Sequence, residues 1–377
     1  MHLEKILMVS FRNFSAAEAT FSSDLNLIYG LNAQGKTNFL EAIYLICLGR
    51  SFRVAKNQEM VKKDESFFTI DGNLTLDNQI KKRTVLRYIR DGKKEISIDR
   101  KKLTKHSKIF GQFPIVVMAP DEFKITSGGP SERRRFIDIF LSQVSLSYLT
   151  NLQEYNRILK QRNRVLQQIR DGQAVSETSI EPWTQRLVEV GCEIINARNI
   201  FILEFSETLQ AIYKKYTESR DILKIFIEST VTLRHEICET EDFYGAFKSV
   251  KNKEKVLGTT LVGPHRDDLV FKINGMDLRK YGSRGEHKSV LVALKIAEFR
   301  YLKLKQDETP IMLLDDCYSE LDNLREEKVF KSLKDLGQIF MTSPRESILD
   351  NQRGQFDNFS NISRFCIENG NIEHKKN

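Results

Sequence analysis

The chain has 377 residues, enough for two domains or one large split domain, and 40% of them are hydrophobic, ample for a core. A net charge of +8 and a pI near 9.0 favour an anionic partner, nucleic acid first. Five cysteines without C-x-x-C spacing and six histidines without H-x-x-x-H spacing argue against zinc sites and disulfides and for a reducing compartment. With no signal-peptide core and no apolar run near the ~18 residues of a membrane span, the chain is expected to be cytoplasmic, without a membrane partner.

In chain order, strands are expected at 3–10, 16–21 and 24–29, the last alternating Leu25, Leu27 and Tyr29 with Asp24 and Asn26. Gly30, Leu31, Asn32, Ala33, Gln34, Gly35, Lys36 and Thr37 then fit G-x-x-x-x-G-K-[ST]. The glycines let backbone N–H groups turn toward phosphates, lysine reaches the β and γ oxygens, and the threonine hydroxyl binds Mg²⁺. Phe39, Leu40, Ile43, Tyr44, Ile46 and Leu48 follow nearly all round a helix that Gly49 can end, so this helix should be buried. A strand, such a loop and a buried helix in that order make a phosphate-binding site far better supported than a glycine turn alone.

"SFFTIDGNLTL", "KKRTVLRYIR" and "KKEISIDRKKL" read as strands, the last two flanking Asp91-Gly92, a hairpin signal. "FPIVVMAP" reads as a buried strand. Residues 121–256 look helical: one pattern runs through "SERRRFIDIFLSQVSLSYLTNLQEYNRILKQRNRVLQQIR" to a break at Asp171-Gly172, and another spans about 183–217. Strands return from 257 with "TTLVGPHRDDLVFKI", "MDLRKY", "PIMLLDD" and "QIFMTS", with helices at about 286–305 and in "NLREEKVFKSLKDLG". The polar tail "ENGNIEHKKN" is expected to fray.

A phosphate loop needs an acidic partner, and the apolar run of "IMLLDD" supplies Asp315 and Asp316. One carboxylate would hold the Mg²⁺ shell with Thr37, and the other would orient or deprotonate an attacking water. Asp315 lies across most of the chain from Lys36, so a helical insertion must interrupt one nucleotide-binding sheet. The expected fold is therefore α/β: an ATP-binding-cassette or chromosome-maintenance (ABC/SMC) type P-loop ATPase head, 1–120 with 257–377, with a helical second domain, 121–256, inserted in the sheet. Such heads predict a Ser-Gly turn opening a helix before the acidic strand, and "YGSRGEHKSVLVALKIAE" supplies Ser283, Arg284 and Gly285. Ser283 and Glu286 also form an S-x-x-E capping box. As part of a shared site, Ser283 would meet the γ-phosphate bound by a second copy. "SELD", Ser319 to Asp322, would lie at the dimer seam or cap the next helix.

"FRNF", "GLNAQGKTNFLEAIYLICLGRSFR", "MAPDEFKITSGGPSERRRFIDIFLSQ", "LVGPHRDDL", "YGSRGEHKSVLVALKIAE" and "LLDDCYSELDNLR" together resemble the RecF family of bacterial recombination proteins, over about residues 11–325. The resemblance implies ATP and Mg²⁺ as cofactors, an ATP-dependent homodimer on DNA (single-strand, duplex or gapped), and weak DNA-dependent ATP hydrolysis that releases it. It implies repair of single-strand gaps with RecO and RecR, RecA loading, replication restart and SOS induction. Matched by position, Gly30 to Thr37 bind nucleotide with Ser283, Arg284 and Gly285; Lys36, Asp315 and Asp316 are catalytic; Thr37 and Asp315 hold the metal. Thr342 or Ser343 takes the switch position. Glu286 departs from the family's usual uncharged Gln, and Asp316 is shorter than the glutamate of the wider superfamily.

For DNA, Arg133, Arg134 and Arg135 form a run, Arg157, Lys160 and Arg164 share a helical face, and Arg12, Arg50, Arg53 and lysine pairs between 81 and 102 add charge. No aromatic stacking motif accompanies them, so contacts should be to phosphates and salt-sensitive. A metabolic kinase would instead need an acceptor pocket and a lid, and a transporter subunit a membrane partner and a His after the last strand, which "FMTS" lacks.

Overall fold

The computed structural model describes residues 1–54, 56–90, 92–174, 176–316, 336–344, 346 and 359–375. The chain divides into two compact units, one made of Met1–Phe123 with Ser289–Asn377 and the other of Lys124–Lys288.

The first unit opens with β1 (His2–Phe11), β2 (Phe14–Thr20), β3 (Leu25–Tyr29) and α1 (Lys36–Leu48). It continues with β4 (Phe67–Thr75), β5 (Lys81–Ile89), β6 (Lys94–Ile98), β7 (Lys101–Lys102) and β8 (Ile115–Met118). An antiparallel sheet runs β2-β1-β4-β5-β6-β7. Its strands alternate buried with more exposed residues, as expected where one face meets a core. Asp91, half of the expected hairpin turn between β5 and β6, lies outside the described residues.

The second unit holds α2 (Lys124–Ser127), α3 (Pro130–Val144), α4 (Leu146–Arg170), α5 (Glu181–Thr217), β9 (Leu223–Glu228), α6 (Thr240–Leu257), β10 (Asp268–Ile273), β11 (Met276–Asp277), α7 (Leu278–Tyr281) and the start of α8 (Arg284–Lys305). The helix expected to run unbroken to Arg170 restarts at Ser145, whose Oγ accepts the Tyr148 N–H (3.2 Å) and so caps α4. β9, not expected in a helical stretch, pairs with β10 from Asp268↔Glu228 to Ile273↔Leu223. That pairing places residues 257–288, expected with the head, in the second unit. Residues 259–267, expected as strand, form a loop. Side chains take over its amides: Asn163 accepts the Thr260 N–H (2.8 Å), Glu254 that of Leu261 (2.7 Å) and Thr230 that of Gly263 (2.8 Å).

The chain then returns to the first unit with β12 (Ile311–Leu314), β13 (Ile339–Ser343), β14 (Ile362–Glu368) and β15 (Asn371–Lys375). These complete a second sheet, β15-β14-β3-β13-β12-β8, parallel except at its β15 edge. β3, β8, β12 and β13 are buried along their whole length, as parallel strands covered on both faces must be. α1 packs against β4 and β5 of one sheet and β8 and β13 of the other, which explains apolar residues on nearly every face. Residues 371–375 of the tail do not fray: Asn371–Lys375 pairs with β14, from Glu368↔Asn371 to Arg364↔Lys375, while 376 and 377 lie outside the described residues. The turn at 319–322 and residues 323–335 of the helix expected after it lie outside the described residues.

Candidate nucleotide site

β3 ends directly at Gly30, where a Cβ would overlap the backbone carbonyl of Ile367 in neighbouring β14. The loop closes through Lys36, whose Nζ donates to the carbonyls of Gly30 (2.7 Å) and Leu31 (2.9 Å). Gly35 caps α1 at φ +117°, a conformation closed to most side chains, and no side chain caps the helix there. The first-turn N–H groups therefore face the loop with the positive end of the helix dipole behind them. Leu31, Asn32 and Ala33 are exposed at the tip, and Ala33 takes a left-handed φ of 66°.

The acidic strand lies where the phosphate loop needs it. β12 and β3 flank β13 in one sheet, which brings Asp315 to Thr37 across 278 residues of chain. Thr37 Oγ1 lies 2.9 and 3.0 Å from the two carboxylate oxygens. Thr342, at the end of β13, donates to Asp315 Oδ1 (2.9 Å) and accepts the Asp316 N–H (2.8 Å). Ser343 ends the same strand opposite Tyr29. Asp316 itself sits at φ 46°, a left-handed conformation that Asp tolerates better than most residues but still at a cost. Backbone strain stored next to the acidic pair is the sort found at functional sites.

Burial raises the Asp315 pKa, against the lowering effect of the Thr37 and Thr342 hydroxyls and of Arg53. Burial lowers that of Lys36, while Asp316 and Asp315 pull it back up. Each charge is thus dehydrated next to its opposite, a pattern typical of sites that handle charged ligands. The donor set fits Mg²⁺: a hydroxyl and a carboxylate, both hard oxygen ligands, beside a helix end open to phosphate. Among the described residues no cluster of three or more His, Cys, Asp or Glu could hold a metal ion.

Asn13, in the turn between β1 and β2, braces this loop. Its Nδ2 donates to the Gln34 carbonyl (2.7 Å), and its Oδ1 accepts from Asn38 Nδ2 (2.9 Å). From β14–β15, the Asn369 N–H donates to Gln34 Oε1 (2.6 Å).

The matched family described as "RecF/RecN/SMC N terminal domain" covers residues 2–364. The DNA replication and repair protein RecF of Acetivibrio thermocellus is 35% identical over 356 residues, 93% of this chain and 95% of its own. That of Lachnoclostridium phytofermentans is 34% identical over 370 residues, 98% and 100% of the two chains. The chain belongs to the RecF family. A solved structure of the recombination mediator protein RecF with ATP, in the RecFOR pathway, superposes with a TM-score of 0.90 at 31% identity, covering 100% of this chain and 98% of that one. A Pyrococcus furiosus Smc head superposes at 0.55 with 16% identity, which places the fold among the ABC/SMC-type ATPase heads.

In this RecF-family chain Ser283, Arg284 and Gly285 lie in the second unit, at the start of α8. Ser283 and Arg284 are exposed. The capping box is formed: the Ser283 N–H donates to Glu286 Oε2 (2.7 Å) and the Glu286 N–H to Ser283 Oγ (3.2 Å).

Several of the basic residues expected to face DNA hold partners within the chain. Arg133 is 3% exposed and grips Asp268 with two bonds of 2.6 and 2.8 Å. Arg134 donates to the Asp267 carbonyl (2.7 Å). Arg12 grips the fully buried Glu41 of α1 through bonds of 2.8 Å from Nε and Nη2, and Ser51 donates to the same carboxylate (2.5 Å). Arg53 donates to Asn38 (2.8 Å) next to the phosphate loop. Lys82 pairs with Asp99 and Lys102 with Glu95. Arg157, Lys160 and Arg164 are exposed along α4. The sequence does not separate Arg12 and Arg133 from exposed charges, because their carboxylate partners Glu41 and Asp268 lie 29 and 135 residues away.

Proposed function

We propose that this chain is an ATP-gated DNA-binding protein of recombinational repair, a weak DNA-dependent ATPase whose output is assembly. Two copies clasp ATP between the phosphate loop of one and Ser283, Arg284 and Gly285 of the other, and the dimer holds gapped DNA. With RecO and RecR it promotes RecA loading at single-strand gaps, replication restart and SOS induction.

The bond between Thr37 and Asp315, 2.9 Å long, carries this reading. It joins two segments 278 residues apart in the chain, as an ATP site in an insertion-split head would require. Thr37 and Asp315 would hold Mg²⁺, which when bound neutralises phosphate charge. Lys36 and the α1 N-terminus bind the phosphates, and Asp316 orients water. The solved RecF with ATP, similar over the whole chain, supports ATP as the ligand. No helix among the described residues is long and apolar enough to cross a membrane.

Light scattering with ATP, with ADP and without nucleotide tests the switch: the mass should double only with ATP. A monomer under all three conditions would refute it. Affinity for gapped DNA should fall steeply as salt rises, because the contacts are to phosphates. A flat response would count against exposed Arg157, Lys160 and Arg164 as the footprint.

A further inference from the structure

The second unit brings together two thiols that the site does not use. Cys192 lies in the middle of α5 and Cys238 just before α6, and their sulfurs are 3.4 Å apart. Both are free and buried, at 7% and 4% exposure. From the geometry we propose that Cys192 and Cys238 form a reversible dithiol–disulfide site, a place of oxidative modification inside the second unit.

Backbone anchors hold the pair in register. Asn196, one helical turn after Cys192, accepts the Cys238 N–H (2.7 Å) and donates to the Cys238 carbonyl (3.2 Å). This two-point clamp fixes Cys238 against the face of α5 that carries Cys192. Directly beyond it, the Glu239–Asp242 capping box fixes the start of α6, and Arg234 holds Asp242 (2.6 Å). The sulfurs therefore lie about 1.4 Å further apart than in a disulfide bond of ~2.05 Å.

The pair is also chemically asymmetric. Cys238 donates its S–H to Cys192, which lowers the Cys192 pKa and makes it the first to ionise. Residues 234–237, directly before Cys238, are exposed. With a dialkyl disulfide such as glutathione disulfide, the Cys192 thiolate attacks one sulfur and expels one glutathione thiolate, leaving a mixed disulfide. Cys238 then loses its proton to solvent, and its thiolate attacks Cys192 Sγ and expels the second glutathione. The protein gives up two electrons and two protons, and the oxidant becomes two thiols. The new bond ties α5 to the segment leading into α6. In a reducing compartment the pair rests as the two thiols seen in the structure.

The full reduced chain, treated with glutathione disulfide, is digested without reductant and mapped by mass spectrometry. Two of its five thiols should resist alkylation, in one linked peptide pair joining Cys192 to Cys238. The link should form on the order of tenfold faster in the folded chain than in urea, because the fold supplies the proximity. Cys238→Ser should stop at a stable glutathione adduct on Cys192. A wild-type chain that keeps that adduct without closing the link would overturn the proposal. So would equal rates in the folded chain and in urea, a readout that needs no variant.

Discussion

Two helix N-termini carry the proposed phosphate contacts, and they are built differently. α1 starts at Gly35 with no side-chain cap, its first-turn donors turned toward the loop and its back braced by Asn13. α8 starts after Ser283, with its cap formed by Ser283 and Glu286 at 3.2 and 2.7 Å. Both ends carry the same positive dipole, but at α8 the cap already takes the Ser283 and Glu286 N–H groups. A lone copy can thus bind an anion at α1 at once, whereas at α8 a phosphate must share or displace a cap. Capping interactions of this kind are worth about 0.5–2 kcal/mol. The difference fits a division of labour in which α1 sets nucleotide affinity and α8 acts only when a second copy brings a triphosphate to it.

The largest test of this contrast is Lys36→Met. The side chain is buried, and methionine keeps the apolar stem while removing the charge that burial has dehydrated. Nucleotide affinity, read from the anisotropy of a fluorescent ATP analogue, should fall on the order of 100-fold or more, as expected when charge-assisted bonds are lost. An unchanged affinity would move the phosphates away from α1.

Ser283→Arg should act on the other helix and on the other observable. Binding of the analogue by the monomer should stay within about twofold, while ATP-dependent mass doubling disappears, an effect of about 30-fold on dimerisation from a bulky side chain overfilling a packed seam. A variant that still dimerises would place the seam elsewhere.

Asn13→Ala sharpens the account of how α1 is kept open. The change removes bonds to Gln34 and Asn38 and touches no proposed phosphate contact. Two neutral hydrogen bonds at about 1 kcal/mol each, partly replaced by water, predict a loss of about tenfold in ATP affinity.

Asn13 also marks where legibility in the sequence ends. The phosphate loop could be read because its donors fall within eight consecutive residues and a strand and a buried helix flank it. The acidic strand could be read because Asp315 and Asp316 end an apolar run. Asn13 could not, because its partners on the loop are neighbours only after the sheets fold, and an Asn in a turn has a sufficient local reason to be there. For the same reason Arg12 and Arg133 read as free surface charge when they grip Glu41 and Asp268. The edge strand Asn371–Lys375 hid behind its polarity, since an edge pairing through one strand needs few apolar residues. Cys192 and Cys238 were separated by 46 residues and carried no spacing signal.

The smallest effect is expected from Glu286→Gln, and its direction is the informative part. The amide oxygen of glutamine can still accept the Ser283 N–H, so the cap keeps its geometry and loses only its negative charge. The α8 N-terminus should lose about 0.5 kcal/mol of charge–dipole stabilisation, a slight drop in melting temperature. If Glu286 faces a partner's triphosphate, removing its charge should tighten the ATP-dependent dimer about threefold in sedimentation equilibrium. If it only caps its helix, the melting temperature falls and the dimer constant does not change. The two outcomes separate a helix end that is merely closed from one whose closure restrains assembly.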